Sequence, residues 1–235
     1  MAVDTPEMRG GSGAMFDRIA DRYDLVNRVI SLGLDRGWRA RAVDALALRE
    51  TAQVLDVATG TGDLALAIAA QHHTARVVGL DPSTGMLDIA RRKTRDAGLG
   101  SRIEFVTGDA EMLPFDRECF DGATIAFGIR NVPGRARALT EMHRVLRVGA
   151  RVVVLELAEP QTGLLGPLAR WHVHHVVPAV GAWLSGAPEY DYLQRSIAKF
   201  PAPPVFAEMM REAGFSRVEW SSLTFGAATL YVGVA

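Results

Sequence analysis

Apolar positions along the chain follow two different periods, and the change from one to the other sets out its elements. Phe16, Ile19, Tyr23, Val26 and Ile30 step by three and four, which places them on one face of an amphipathic helix, with Asp17, Arg18, Asp21 and Arg28 largely elsewhere. A second, short helix carrying Trp38 is predicted after Asp35, whose carboxylate is suited to cap it. Short apolar runs then alternate with helical stretches. Strands are expected at Val54–Val57, Arg76–Leu80, Ile103–Val106, Phe120–Ala126 and Val152–Leu157. Helices are expected at Asp63–Ala70, from a Ser83 cap to about Arg95, and from a first turn at Pro133 to Leu146. Strands separated by helices need crossover connections, so the pattern predicts a doubly wound α/β fold: a parallel sheet with helices on both faces.

The rhythm breaks at Gly163–Gly186, a stretch with no acidic residue and rich in Leu, Val, Trp and His. Its length is close to that of a membrane span, which takes roughly 20 apolar residues, but Pro167, Arg170, Pro178 and the histidines His172, His174 and His175 argue against one. A helical lid with an apolar mouth, inserted at about 160–200, is expected instead. The chain closes with a helix near Val205–Ala213 and strands at Phe215–Ser222 and Ala227–Val234, which the short link Leu223–Gly226 makes antiparallel. Residues 1–14 are polar and glycine-rich and are read as a loose arm, leaving 15–235 as one domain.

Composition narrows the function classes. The 235 residues suffice for a core of their own. The lone Cys119 excludes an internal disulfide and a cysteine-built metal cluster, and fits a reducing, cytoplasmic compartment. A net charge of −1 carries no electrostatic footprint for a nucleic acid.

The run Asp56-Val57-Ala58-Thr59-Gly60-Thr61-Gly62-Asp63 follows an apolar strand and opens a helix. Glycines suit that place because the chain turns tightly and a ligand must approach bare backbone. Asp81 ends the next strand, where a carboxylate accepts hydrogen bonds from both ribose hydroxyls of a nucleoside. Gly60, Gly62 and Ala65 also satisfy the dinucleotide pattern G-x-G-x-x-A, so the glycines alone leave NAD and S-adenosylmethionine open. Charge separates the two. A dinucleotide sets its pyrophosphate on the helix N-terminus, where Asp63 would repel it, whereas S-adenosylmethionine brings an ammonium and a sulfonium. At a third strand end Gly108-Asp109-Ala110 offers a carboxylate and amides to an adenine edge, although an Asp there is also a common helix cap. All three strand ends fall on the carboxyl edge of the sheet, where ligands bind in this architecture.

Further blocks carry a resemblance. Met15-Phe16-Asp17, Tyr23-Asp24, Asn27, Ser31-Leu32-Gly33 and Asp35 come first, followed by the glycine turn and by Gly108-Asp109-Ala110-Glu111 with Leu113-Pro114-Phe115. Thr124-Ile125-Ala126-Phe127-Gly128-Ile129-Arg130-Asn131-Val132 follows, and then Tyr190, Tyr192, Ser196, Ile197, Phe200 and Pro201. Together they resemble the ubiquinone/menaquinone biosynthesis C-methyltransferases, most closely the demethylmenaquinone methyltransferases, from about residue 15 to the end. The glycine turn is common to many methyltransferases; Phe127–Val132 is much narrower. The resemblance implies a Rossmann-like class I methyltransferase fold of seven strands, mostly parallel, with the last hairpin antiparallel. It implies that Thr61, Asp81, Asp109 and Ala110 bind S-adenosylmethionine, beside Asp56, Gly60 and Gly62 of the turn. The implied reaction is C-methylation of a polyprenylated demethylmenaquinol to menaquinol. Methylation of 2-methoxy-6-polyprenyl-1,4-benzoquinol in ubiquinone synthesis, or of another aromatic small molecule, is the alternative. Three positions depart from the family pattern: Ala126 where some members carry Ser, Arg147-Val148-Gly149-Ala150 where Lys-Pro-Gly-Gly is usual, and Phe225 where Gly is common.

Methyl transfer from a sulfonium is an in-line displacement with a neutral leaving group, so the protein mainly positions reactants and excludes water. The acceptor carbon is nucleophilic in a quinol and more so in a quinolate, but not in a quinone. Arg130 is the first candidate to hold the developing oxyanion, its rival role being a salt bridge beside a helix start. His174, which matches a His in many family members, is the candidate proton acceptor, and Tyr23 joins them in the catalytic set. Asn27, Asn131 and Tyr192 are placed to orient the ring, with core or cap roles as rivals. The three histidines of the lid make no metal site, because one helix cannot aim all three at one ion. The expected partner is a prenylated quinol met at the inner face of the membrane by peripheral contact; a homodimer is left open. Chelator treatment is expected to leave methyl transfer unchanged. Loss of activity that a divalent ion restores would overturn the metal-free reading.

Overall fold

A computed structural model describes residues 24, 28, 31, 33–158 and 194–235. The expected N-terminal arm and most of the expected lid lie outside the described residues, as does most of the predicted first helix, of which Asp24 and Arg28 are described and helical. The elements are α1 (Asp35–Leu46), β1 (Gln53–Val57), α2 (Asp63–Gln71), β2 (Arg76–Asp81), α3 (Thr84–Asp96), β3 (Ile103–Thr107), β4 (Phe120–Ala126), α4 (Arg135–Val145), β5 (Leu146–Leu157), α5 (Pro203–Glu212), β6 (Ser216–Leu223) and β7 (Ala228–Val234).

The strands form one seven-stranded sheet in the order β3-β2-β1-β4-β5-β7-β6. The first five run parallel, and β7 runs antiparallel to both β5 and β6. From β1 the chain winds outward to β2 and β3, then crosses back to β4 on the other side. That reversal opens a crevice beyond the carboxyl ends of β1 and β4, the usual ligand site of such sheets.

Period-two alternation assigns each strand residue to one of two cores. Val152 and Val154 of β5 pack with Leu139 and Met142 of α4 and Phe206 and Met210 of α5. Val153 and Leu155 face the other way, with Trp38, Val43 and Leu46 of α1 and Ile68 of α2. Fully burying such a side chain is worth about 1.5–3 kcal/mol, so both faces hold the central strands rigid under the loops at their ends.

Two helix starts differ from expectation. Asp35 is the first residue of α1 rather than its cap, which is Leu34, and its carboxylate instead accepts from Ser31 Oγ at 2.8 Å and pairs with Arg39. Helix α4 starts at Arg135 with Gly134 as its cap, leaving Pro133 outside. The reason is a three-residue 3₁₀ turn, Ile129–Asn131, which uses up the preceding chain, while Glu111 Oε1 accepts the Gly134 N–H at 2.9 Å. Ser83 does cap α3, its Oγ accepting from the Met86 amide at 3.1 Å. The Arg147–Ala150 departure lies at the amino edge, where Gly149 and Ala150 exchange backbone hydrogen bonds with Ala235.

One glycine ties sheet packing to the turn after β1. A Cβ at Gly79, in β2, would stand 2.7 Å and 2.8 Å from the Phe105 ring and 2.9 Å from Thr59 Cγ2. Gly79→Ala is therefore expected to lower stability by about 1–3 kcal/mol, read as a fall in the denaturant midpoint. An unchanged midpoint would show that Phe105 and Thr59 yield without cost.

Candidate active site

Every loop of the site leaves the carboxyl edge of the sheet. At the end of β1, Asp56 is 1% exposed and accepts hydrogen bonds from Thr59 Oγ1 at 2.6 Å and Thr124 Oγ1 at 2.7 Å. Burial pushes its carboxyl up to about 6 against the opposing pull of these hydroxyls. The turn that follows is left-handed at Gly60 (φ +56) and Gly62 (φ +80). A Cβ at Gly62 would press on Ala90 at 3.0 Å, whereas one at Gly60 would meet nothing within 4 Å. Gly62 thus serves packing, and Gly60 presents bare backbone to open space.

Asp81 closes β2 and locks the turn: its Oδ2 accepts the Gly60 N–H at 2.8 Å and its Oδ1 accepts the Ser83 N–H at 2.9 Å. Past β3, Asp109 Oδ1 accepts the Glu111 amide at 2.9 Å and Ala110 is buried. This loop is anchored to α4, because Glu141 accepts the Leu113 N–H at 2.9 Å and Arg144 donates to the Phe115 and Leu113 carbonyls at 2.8 and 3.1 Å. The Asp81 carboxylate, the Asp109–Ala110 loop and the open space beside Gly60 thus stand together on one edge of the sheet.

The β4 end supplies the other half. Phe127 has φ +58, and its N–H donates to the Leu155 carbonyl at 2.7 Å. A Cβ on Gly128 would fall 2.6 Å from Ala58 Cβ, so glycine lets the two crevice loops meet. Arg130 is 9% exposed and its Nη1 donates to the Phe127 carbonyl at 2.5 Å and to Glu156 Oε1 at 2.6 Å. Glu156, wholly buried, also accepts the Arg130 amide at 3.1 Å and its neighbour Leu157's at 2.9 Å. Arg130 Nε is buried without a hydrogen-bond partner. Asn131 follows in the same 3₁₀ turn.

Pairing of Leu157 with Ala228 brings the β6–β7 link to this edge as well. Trp38 Nε1 donates to Thr224 Oγ1 at 2.8 Å, and the Trp38 ring lies 6.2 Å from that of Phe127. Phe225 has φ 55 and ψ 27 and is 58% exposed. The position uses left-handed backbone, free for Gly but worth roughly 1–2 kcal/mol of strain for other residues, which accounts for the glycine common there.

The structure brings Asp56, Gly60, Thr61, Gly62, Asp81, Asp109, Ala110, Arg130 and Asn131 to one edge of the sheet. Tyr23, Asn27, His174 and Tyr192 lie outside the described residues. Sequence reasoning missed Lys93, which donates to Asp24 at 2.8 Å and pairs with Asp63. That pairing offsets the Asp63 charge on which the case against a dinucleotide leaned. It also missed Glu156, although an acid inside a strand buried on both faces signals a buried partner. Among the described residues no group of three or more His, Cys, Asp or Glu side chains is placed to hold a metal ion.

This strand order, glycine turn and acid at the second strand end define the class of S-adenosylmethionine-dependent methyltransferases. The fold matches a solved structure of that class from Aquifex aeolicus with a TM-score of 0.60 at 17% identity, covering 83% of this chain and 88% of the other. The chain belongs to the ubiE/COQ5 methyltransferase family, whose model matches residues 5–235. It is 48% identical over 219 residues to the ubiquinone/menaquinone biosynthesis C-methyltransferase UbiE of Syntrophotalea carbinolica, covering 93% of this chain and 92% of that protein. It is likewise 48% identical over 221 residues to the demethylmenaquinone methyltransferase of Deinococcus radiodurans, covering 93% and 90%. Family and fold are those expected from the sequence.

Asp56 gives the fold a pH signature. Its raised carboxyl holds a proton more tightly in the folded protein than in the unfolded chain, so its contribution to stability is present below 3.8 and lost as the pH rises to about 6. The unfolding free energy of the wild type minus that of Asp56→Asn is expected to decline across this window and to level off above it. A flat difference would place the Asp56 proton elsewhere.

Proposed function

We propose that the chain transfers the methyl group of S-adenosylmethionine to a ring carbon of a polyprenylated demethylmenaquinol. The observation that carries this reading is position: the narrow family block Phe127–Val132 stands at the switch-point crevice beside the glycine turn. The name of the Deinococcus relative supports it. The bound cofactor supplies an activated methyl group. Asp81 is the acceptor for its ribose hydroxyls, the Asp109–Ala110 loop takes the adenine, and Asp56 and the Gly60–Gly62 backbone shape the remaining wall.

In the acceptor, a ring carbon gains the methyl and loses its proton. Arg130 Nε–H, a buried donor without a partner among the described residues, is the group assigned to the developing quinol oxyanion. Tyr23 belongs to the same catalytic set and His174 is the proton acceptor; Asn27, Asn131 and Tyr192 orient the ring. Because the quinol carries a prenyl tail, the chain works at the membrane face; no helix among the described residues is long and apolar enough to cross one. The benzoquinol of ubiquinone synthesis is the second reading, favoured by the name of the Syntrophotalea relative, which covers both quinones.

Transfer of labelled methyl to reduced demethylmenaquinone and, in parallel, to the methoxy-polyprenyl benzoquinol tests both readings. Label is expected in the naphthoquinol and not in the oxidised quinone. Label in neither quinol, or equal label in quinone and quinol, would sink the proposal. Arg130→Ala would strand the buried Glu156 charge, at about 3–5 kcal/mol. Arg130→Lys keeps the charge and is expected to lose turnover while binding cofactor normally. Unchanged turnover would remove Arg130 from the chemistry.

A further inference from the structure

We propose that Thr61 and Lys93 form the subsite for the carboxylate of the cofactor's amino-acid arm, and that Asp24 takes that subsite in the structure. The inference rests on the placement of the cofactor at the glycine turn proposed above. Thr61 Oγ1 donates to Asp24 Oδ1 at 2.6 Å, and Lys93 Nζ donates to Asp24 Oδ2 at 2.8 Å. Each oxygen of one carboxylate is therefore claimed by a different donor, and the donors lie 3.3 Å apart. Such a two-point, charge-assisted grip is what a carboxylate ligand needs. Thr61 sits between the two left-handed glycines and is buried, Lys93 reaches it from α3, and Asp24 comes from a different part of the chain, 37 residues before Thr61.

Charge makes the subsite necessary. The edge that receives the cofactor carries Asp56, Asp63 and Asp81, which suit an ammonium and a sulfonium but repel the carboxylate on the same arm. Of the two cations closest to Asp63, Arg39 is committed to Asp35 and lies 5.2 Å over the Phe127 ring. Lys93 bridges Asp63 and Asp24 and contacts Thr61 itself, so the side of it that Asp24 holds is the one a ligand carboxylate can take over. When the arm enters, one carboxylate replaces another, and Lys93 keeps its pairing with Asp63 throughout.

The test compares dissociation constants, by calorimetry, for S-adenosylmethionine, its decarboxylated analogue and 5′-methylthioadenosine, which lacks the amino-acid arm. The wild type is expected to favour S-adenosylmethionine over the decarboxylated analogue by about tenfold or more, the scale of one charge-assisted contact. Lys93→Met and Thr61→Val should each shrink that ratio; the second does so without changing charge, which separates contact from long-range attraction. Asp24→Ala should tighten S-adenosylmethionine several-fold and leave methylthioadenosine unchanged. Unaltered methylthioadenosine binding reports an intact fold in every variant, and if Lys93→Met loses it, Thr61→Val decides. A ratio unmoved in Thr61→Val, or weaker S-adenosylmethionine binding in Asp24→Ala, would overturn the subsite. A wild type that binds neither S-adenosylmethionine nor methylthioadenosine would overturn the cofactor placement and the subsite with it.

Discussion

Two carboxylates buried at the carboxyl ends of central strands dictate how the loops beyond them fold. Asp56 in β1 and Glu156 in β5 lie in strands packed on both faces, where an unmatched charge would cost several kcal/mol. Each finds a donor in the chain just past its own or the neighbouring strand. Thr59 turns back onto Asp56, and Thr124 reaches it from the neighbouring β4. Arg130 closes onto Glu156 with both its backbone and its side chain, and so fixes the 3₁₀ turn that follows β4. The crevice is thus shaped by satisfying the sheet's own charges, and the same contacts set where ligand-facing atoms stand. Arg130 neutralises Glu156 while its Nε stays buried without a hydrogen-bond partner among the described residues, so any substitution there disturbs the sheet's charge balance as well.

The sheet was readable from the sequence because its strands are short β-branched runs whose two cores follow period two. Phe120–Ala126 was placed to the residue, and most other ends fell within one or two. What escaped were boundaries set by long-range contacts. Pro133 is a good first helical residue, but the helix starts later because Glu111, far back in the chain, takes the Gly134 amide. β5 begins six residues ahead of the expected Val152 because Leu146 pairs with Phe120 across a register shift, which local hydrophobicity does not encode.

The site divides along the same line. Asp56, Gly60, Gly62 and Asp81 lie within one strand–turn–helix–strand unit, so their spacing carries the geometry. Lys93 looks like one more cation on the polar face of an amphipathic helix, and nothing local says that it reaches Asp24 and Asp63. Glu156 left a trace, an acid in the run Val152–Leu157, but its partner Arg130 lies 26 positions away. Pairings of this kind are visible in sequence only as a charge that ought to be unstable where it stands.

Phe225 shows how a departure from the family pattern can be absorbed at the rim. Thr224 and Phe225 both have positive φ, and a β-branched residue there is an outlier that the surrounding structure must hold. The hold is visible: Trp38 donates to Thr224 Oγ1, and Ala227 N–H closes onto the Thr224 carbonyl at 3.1 Å. Strain confined to the link leaves the β5–β7 pairing in register through Leu157 and Ala228. Its consequence is chemical rather than architectural. An aromatic ring stands exposed at the edge where the crevice opens, in a place that a glycine would leave bare.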